Sequence, residues 1–102
     1  MIVSFKNFII RVSVPTLSKD TSINNQLLVE LGGFKKNLTE NDYGKIADLY
    51  QIYELMKYIT EIEVNGQIFD FERCPVNKKN KIINTFPQKV IGEINDYIDK
   101  VK

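Results

Sequence analysis

Few residues in this sequence have the chemistry to catalyse a reaction or to hold a metal ion. None of the 102 residues is a histidine, so the commonest general base and the commonest neutral metal ligand are both missing. Cys74 is the single cysteine, which excludes an internal disulfide and a multi-cysteine metal site. A thiolate at Cys74 would need a lysine or a helix terminus to activate it. We therefore expect Cys74 to be a half-buried structural residue at a turn before Pro75.

Three carboxylates form the other candidate site for chemistry. Glu61 and Glu63 alternate along a predicted strand, and Asp70 falls opposite Glu61 in the strand that follows. Carboxylates this close together could bind a hard cation or share a proton. No loop has the spacing of oxygen ligands that calcium requires, and an acidic strand face is typical of a surface in water. We expect no catalytic residue, no metal and no cofactor, and we predict that the protein is not an enzyme.

Neither the glycine pair nor the basic cluster predicts a phosphate or nucleic-acid site. Gly32-Gly33 is not followed by the further glycines or the Lys-Ser/Thr of a phosphate loop, so it predicts a helix end or a turn. Lys78, Lys79 and Lys81 form the densest basic cluster, and we expect them to lie on a helix face in water. The formal charge of +1 lacks the basic excess that is typical of nucleic-acid-binding proteins.

The chain also lacks the sequence signals of membrane insertion and export. No apolar run approaches the ~20 residues that span a bilayer, so no membrane association is expected. The opening residues, Met1 to Lys6, lack the basic start and the cleavage site of a signal peptide. A lone cysteine without such a signal fits a reducing compartment. We therefore expect a cytoplasmic location.

The amino-terminal residues predict two strands. Residues 8–14 alternate with β-branched and aromatic side chains, which is typical of a half-buried strand, and residues 2–5 predict a shorter strand before it. Pro15 has no amide hydrogen to donate, so it ends the pairing. The positions that share one face of the longer strand are Phe8, Ile10, Val12 and Val14.

The next segment allows two interpretations. Residues 16–24 are mostly polar and predict a loop. Three leucines then precede Gly32-Gly33, so residues 23–31 form either a short helix with a glycine stop or a strand before a Gly-Gly turn. We favour the helix.

The longest predicted helix covers residues 39–58. Thr39 can cap its amino end, and the acidic residues of its first turn complement the helix dipole. Its apolar residues extend well beyond one narrow face. We therefore expect this helix to pack on two sides, within the domain and against a partner.

A β-hairpin follows the long helix. Asn65-Gly66 stands between two alternating runs, which is the strongest short-range signal for a hairpin, and a two-residue turn pairs Val64 with Gln67. Ile68 is the one apolar residue that falls on the acidic face of this hairpin.

Two helices complete the predicted fold. Pro75 and Pro87 each suit a first helical turn, and the second helix carries an apolar stripe as far as Val101. The order of elements predicts an α+β fold, in which the helix over 39–58 and the carboxyl-terminal helix pair cover a small antiparallel sheet. The length suits a single domain over residues 1–102.

The order of motifs in the carboxyl-terminal half resembles that of a known protein family. The motifs are Glu54-Leu55-Met56-Lys57-Tyr58-Ile59, Asn65-Gly66, Phe69-Asp70-Phe71-Glu72, Lys81-Ile82-Ile83, Phe86-Pro87-Gln88-Lys89-Val90 and Ile94-Asn95-Asp96-Tyr97-Ile98. They resemble the carboxyl-terminal region of baseplate hub and tail-assembly proteins of T-even-type contractile-tailed phages. The segment from Val12 to Leu17 is similar to the strand that precedes the helical part of that family, whereas Phe86 stands where the family has leucine. The resemblance implies an assembly role and supplies no catalytic residue.

These observations predict a protein–protein interaction module of a phage tail or baseplate. The apolar positions of the strand over 8–14 and the helix over 39–58 exceed what one small core needs. We expect the partner to be another tail or baseplate subunit, or a second copy of the chain, in the infected bacterium or the virion. The alternative is a small inhibitor or regulator of a host defence enzyme, encoded by a phage or mobile element. The candidate partner-binding residues are Phe8, Ile10, Val12, Tyr43, Tyr50 and Tyr53.

Overall fold

The computed structural model describes residues 1–32 and 39–102 of the chain. These residues form an antiparallel sheet and four helices. The strands are β1 (Ile2–Phe5), β2 (Phe8–Val12), β3 (Ile59–Val64) and β4 (Gln67–Asp70). The helices are α1 (Leu17–Leu31), α2 (Glu40–Tyr58), α3 (Val76–Ile83) and α4 (Gln88–Val101), and a short 3₁₀ turn covers Phe71–Arg73. The predicted α+β fold is confirmed. None of these described helices is both long and apolar enough to cross a membrane.

The four strands pair in chain order, β1-β2-β3-β4, and each neighbouring pair is antiparallel. The predicted hairpin is confirmed with its register, because Val64 pairs with Gln67 across the turn. Asn65 and Gly66 both adopt left-handed backbone angles, with φ of 53° and 80°. Two successive residues of this kind make the tight turn whose twist matches that of the strands. Ile68 lies on the open face, as predicted, and is 57% exposed.

The other face of the sheet forms the core together with the helices. Val3, Ile10 and Ile62 lie side by side in register across β1, β2 and β3, and all three are buried. Every helix contributes buried apolar side chains to the same cluster, and this burial is the main term that stabilises the fold. The helical members include Ile23 and Leu27 of α1, Leu55 and Met56 of α2, Ile83 of α3, and Val90, Ile94 and Ile98 of α4.

The predicted loop over residues 16–24 is wrong, because α1 begins at Leu17. The Thr16 hydroxyl caps this helix by accepting a hydrogen bond from the Lys19 amide at 3.2 Å. Polar residues of the first turns face water while Ile23 packs inward. The helix is therefore amphipathic, and its mostly polar sequence resembles that of a loop. The helix was the correct interpretation for residues 23–31. Gly33 lies outside the described residues.

The strand predicted over residues 8–14 ends earlier, at Val12. The register of β2 against β3 shifts between Arg11 and Val12, which marks a bulge where the chain leaves the sheet. Val14 lies beyond this point and is 56% exposed, so it does not share the buried face. The remaining helix starts agree with prediction: Thr39 caps α2, and Pro75 and Pro87 precede α3 and α4.

Candidate functional site

The structure divides the residues predicted to bind a partner into buried and exposed groups. Ile10, Val12 and Tyr53 are 0%, 2% and 3% exposed, so they belong to the core of this chain. Their placement on a docking surface is therefore corrected. An apolar face identifies what is buried, but it does not say whether the chain's own helices or a partner cover it. Phe8 is half-buried and stacks on Phe5 of the neighbouring strand, with ring centroids 6.0 Å apart.

Tyr43 and Tyr50 lie on the outer half of α2 and are 62% and 54% exposed. They are about two helical turns apart and so share one face of the helix. A capping box starts the helix: the Thr39 hydroxyl accepts a hydrogen bond from the Asp42 amide, and the Asp42 carboxylate accepts one from the Thr39 amide. The bond from the Thr39 amide, with a second from its hydroxyl, lowers the pKa of Asp42. The cap therefore holds the helix end that carries both tyrosines.

The buried residues of α2 all lie in its carboxyl-terminal third. They occur within residues 53–58, whereas residues 40–52 contain none. Leu49 and Ile52 are only half-buried at the edge of the core. The helix is therefore anchored at its carboxyl end, and its amino-terminal part extends beyond the core. The prediction for α2 placed packing on two sides, within the domain and against a partner. Residues 53–58 show the packing within the domain, and the contact with a partner stays a prediction.

Neighbouring α1 carries two further exposed apolar residues. Leu28 and Val29 are 63% and 80% exposed. The two helices are in contact, and the Tyr53 hydroxyl of α2 donates a hydrogen bond to the Glu30 carboxylate of α1. Burial raises the pKa of Tyr53, and the bond to Glu30 adds to the effect. We give the name α1–α2 surface to four of the exposed apolar residues of this helix pair, two at the carboxyl end of α1 and two on the outer part of α2: Leu28, Val29, Tyr43 and Tyr50.

The carboxylates of the hairpin share the open face of the sheet, as predicted, and basic residues accompany them. Glu61 lies 2.8 Å from the Arg11 guanidinium on the adjacent strand, and Asp70, which pairs with Glu61 across β3 and β4, lies 3.2 Å from Arg73. Among residues 1–32 and 39–102, no group of three acidic or sulfur- and imidazole-bearing side chains could hold a metal ion. This face is therefore an ion-paired surface in contact with water.

A cleft of about 370 Å³ separates the start of α1 from the chain that runs out of the 3₁₀ turn into α3. Lys19, Cys74 and Lys79 are among the residues that line it. The predicted solvated lysine face is wrong for Lys79, which is 6% exposed, and correct for Lys78 and Lys81. Lys79 lies four positions before Ile83, on the same apolar side of α3. This helical spacing is the signal in the sequence that predicts burial of Lys79, although lysine is usually an exposed residue.

Cys74 is half-buried, as expected for a turn residue. Its thiol donates a weak hydrogen bond to the Asp70 carbonyl oxygen at 3.6 Å, and its amide donates to the Phe71 carbonyl oxygen at 3.2 Å. Both bonds close the 3₁₀ turn that leads into α3. The geometry thus gives Cys74 a local role in shaping the border of the cleft.

Comparison with protein-family models, curated proteins and solved structures finds no match for this chain. The resemblance to tail and baseplate proteins therefore stays a prediction from the sequence. The structure itself supplies two features that could recognise another molecule: the apolar α1–α2 surface, and the cleft beside Lys79.

Proposed function

We propose that this chain is a non-enzymatic protein–protein interaction module that binds its partner on the α1–α2 surface. The observation that carries the proposal is the outer part of α2, where no side chain of residues 40–52 is fully buried and Tyr43 and Tyr50 are exposed. Exposed tyrosines suit a docking surface, since the ring supplies apolar contact area while the hydroxyl can stay hydrated. Binding would proceed by burial of complementary apolar surface, without covalent chemistry.

The energetics of α2 support this mechanism. Helices in proteins owe most of their stability to packing, and an isolated helix shorter than about 12–15 residues is marginal in water. The amino-terminal part of α2 has a cap, but its apolar side is only half-buried, at Leu49 and Ile52. A partner that covered this part would stabilise the helix and would remove apolar area from water, at about 25 cal/mol for each Å².

We further propose that the partner is a subunit of a phage tail or baseplate, or a second copy of this chain within such an assembly. This step rests on the resemblance of the carboxyl-terminal motifs, from Glu54 to Ile98, to tail-assembly proteins of T-even-type phages. An assembly protein needs contact surfaces rather than a catalytic site, which agrees with the absence of histidine from the sequence. The corresponding locations are the cytoplasm of the infected bacterium and the virion.

A crosslinking experiment with matched variants tests both steps. The tagged chain is expressed in phage-infected cells, crosslinked and recovered, and its covalent partners are identified by mass spectrometry. The test variant is Tyr43→Ser with Tyr50→Ser. The control is Leu17→Ser with Ile68→Ser, because these residues are 82% and 57% exposed but lie outside the α1–α2 surface.

We expect the wild-type chain and the control to recover the same tail or baseplate subunit, and the tyrosine variant to lose it. Equal recovery by the tyrosine variant would show that the α1–α2 surface is not the docking site. Recovery of a host nuclease in place of tail subunits would favour the inhibitor alternative. A wild-type chain that stays monomeric and crosslinks to no protein would contradict the interaction function altogether.

A further inference from the structure

The cleft between α1 and α3 has the composition of an anion site. From α1 it is lined by Ser18, Lys19 and Ser22, and from the opposite side by Val76 and Lys79. With about 370 Å³ of free volume, it can hold a group larger than a few water molecules. It lies at the start of α1, away from Leu28 and Val29, so it is separate from the α1–α2 surface.

Lys79 is the central observation, because it is a buried lysine for which the described residues supply no ion pair. It is 6% exposed, yet within the described part of the chain it makes no ion pair and no side-chain hydrogen bond. Its ammonium lies over the Phe71 ring, 5.7 Å from the centroid. Lys57, the other buried lysine, instead lies 3.0 Å from Asp20. Burial of an ammonium costs free energy unless an anionic partner compensates it. Asp20 is such a partner for Lys57, and none of the described ion pairs includes Lys79.

Lys79 is one of the residues that line the cleft. Among the described residues, no side-chain nitrogen or oxygen is both fully enclosed and unpaired, so this unpaired ammonium retains contact with water. The ionisable groups that influence its pKa are Lys19, Cys74, Glu72 and Asp70, and the first three line the cleft. The small exposed part of Lys79 is therefore the part that an incoming ligand would meet.

The amino ends of two helices at the cleft add to its positive potential. The cleft lies at the amino ends of both α1 and α3, where the helix dipole favours an anion. Two amides of these first turns are already bonded, that of Lys19 to the Thr16 hydroxyl and that of Lys78 to the Asn77 side chain. No side-chain hydrogen bond caps α3 at Pro75. The nearby Lys19 is already engaged, since its ammonium lies 3.0 Å from both the Glu72 carboxylate and the Ile59 carbonyl oxygen. The charge that remains to be neutralised is that of Lys79.

We propose that this cleft binds a phosphate group. Its donors come from two directions: hydroxyls and a helix amino end from α1, and an ammonium with a second helix amino end from α3. A tetrahedral phosphate presents several acceptor oxygens and can accept bonds from both sides, whereas a carboxylate has two oxygens in one plane. Ser18, Ser22 and Lys79 supply the side-chain contacts.

Phosphate binding has a signature at Lys79 itself. Burial lowers the pKa of Lys79, and the charge of Lys19 lowers it further, against the opposing influence of Cys74, Glu72 and Asp70. A bound phosphate anion favours the charged ammonium and therefore raises this pKa. The increase in pKa distinguishes direct contact with Lys79 from adsorption of phosphate elsewhere.

The experiment is a titration of the full chain with inorganic phosphate, followed by NMR of the backbone amides and of the lysine side-chain carbons. Sodium acetate and sodium chloride at equal ionic strength serve as comparison anions. Lys79→Met removes the charge but keeps an apolar stem that can pack against Phe71. Lys78→Met is the matched control, because Lys78 is exposed on the same helix.

We expect saturable shifts at the amides of Ser18 and Val76, an increase in the pKa of Lys79, and an apparent Kd about tenfold weaker in Lys79→Met but unchanged in Lys78→Met. Glu72→Gln removes the carboxylate that pairs with Lys19 and should tighten phosphate binding several-fold. Misfolding could not produce this gain of affinity. Equal shifts with acetate or chloride, or a Kd unchanged in Lys79→Met, would overturn the proposal. Because the probe is phosphate alone, either result leaves the test of the docking surface unaffected.

Discussion

At the scale of single residues, burial decides which tyrosines of α2 stabilise the fold and which are free to contact another molecule. Tyr53 is 3% exposed and bonded to Glu30, whereas Tyr50, less than one turn before it, is 54% exposed. Three positions turn a helix by about 300°, so the two side chains lie on neighbouring parts of the same side. Their burial differs because Tyr53 belongs to the buried carboxyl-terminal part of α2 and Tyr50 precedes it. The same residue type thus serves two purposes within one turn of α2.

The first prediction separates core residues from surface residues. Ile10→Ala should lower the free energy of unfolding by about 2–5 kcal/mol, because it leaves a cavity among Val3 and Ile62. Tyr43→Ala should change it by less than about 0.5 kcal/mol, because Tyr43 is exposed. Urea denaturation of the two variants measures both values. Comparable losses in both would mean that the outer part of α2 is packed in solution.

The second prediction concerns the stability of the fold at alkaline pH. The pKa of Tyr53 is raised above its ordinary value of 10.0, so the folded state keeps the proton at a pH where the unfolded state loses it. The contribution of Tyr53 is therefore complete below about pH 10 and is lost as the pH rises above it.

Urea denaturation from about pH 9 to about pH 11 should show stability that declines with pH, and Tyr53→Phe should make this decline shallower. The control is Tyr50→Phe, which leaves the buried tyrosine in place. An identical decline in wild type and Tyr53→Phe would show that Tyr53 ionises equally in both states.

At the scale of elements, the turn of the β-hairpin requires a glycine, whereas α4 would be more stable without one. Gly66 has φ of 80°, and a Cβ there would meet no atom within 4 Å, so its role is conformational freedom alone. Gly92 lies within α4, also without an atom within 4 Å of an added Cβ, and its backbone is helical.

The third prediction uses these glycines as a matched pair. Gly66→Ala should destabilise the protein by about 1–2 kcal/mol, because alanine disfavours the left-handed region. Gly92→Ala should stabilise it by about 1 kcal/mol, because alanine is the better helix former. Thermal denaturation gives both changes. A neutral Gly66→Ala would indicate that the turn changes type to accommodate the side chain.

The elements that were predicted correctly are those with local signals. Asn65-Gly66 determines its own turn, and Thr39, Pro75 and Pro87 mark helix starts through their own backbone or side-chain chemistry. Residues 16–24 were misread because the inward side chain there, Ile23, is separated from the next one by polar positions.

Burial could not be predicted as well, because it depends on contacts between distant parts of the chain. The strand face of Ile10 and Val12 was recognised as apolar, but only the fold shows that the chain's own helices cover it. Lys79 could be placed on α3, but its lack of a partner depends on where α1 and the 3₁₀ turn lie. The candidate docking surface and the candidate anion site both depend on such tertiary contacts, so neither could be predicted in full from the sequence.

At the scale of the whole molecule, the two recognition features lie toward opposite ends of α1. Ser18 and Ser22 border the cleft, whereas Leu28 and Val29 belong to the α1–α2 surface. The chain measures 47 × 28 × 26 Å, and its radius of gyration of 14.3 Å exceeds the roughly 13 Å expected of a compact chain of similar length. The outer part of α2 is consistent with this elongation, because none of residues 40–52 is fully buried.

The fourth prediction follows from this uneven packing. Local opening requires little free energy where few contacts are lost, so amides in residues 44–52 should exchange with solvent hydrogen much faster than those of Leu55 and Met56. Thr39→Ala removes a cap worth about 1 kcal/mol and should accelerate exchange in residues 44–52 alone. Hydrogen exchange measured by NMR resolves the two parts of the helix. In α4, Ile94 provides an internal reference, since it is fully buried.

Partner binding should reverse this pattern. If a subunit covers the α1–α2 surface, exchange in residues 44–52 slows toward the rate of Leu55, while Ile94 is unchanged. The Tyr43→Ser, Tyr50→Ser variant should show no such protection at the same partner concentration. Uniformly slow exchange along α2 in the isolated chain would contradict the view that its amino-terminal part depends on a partner for packing.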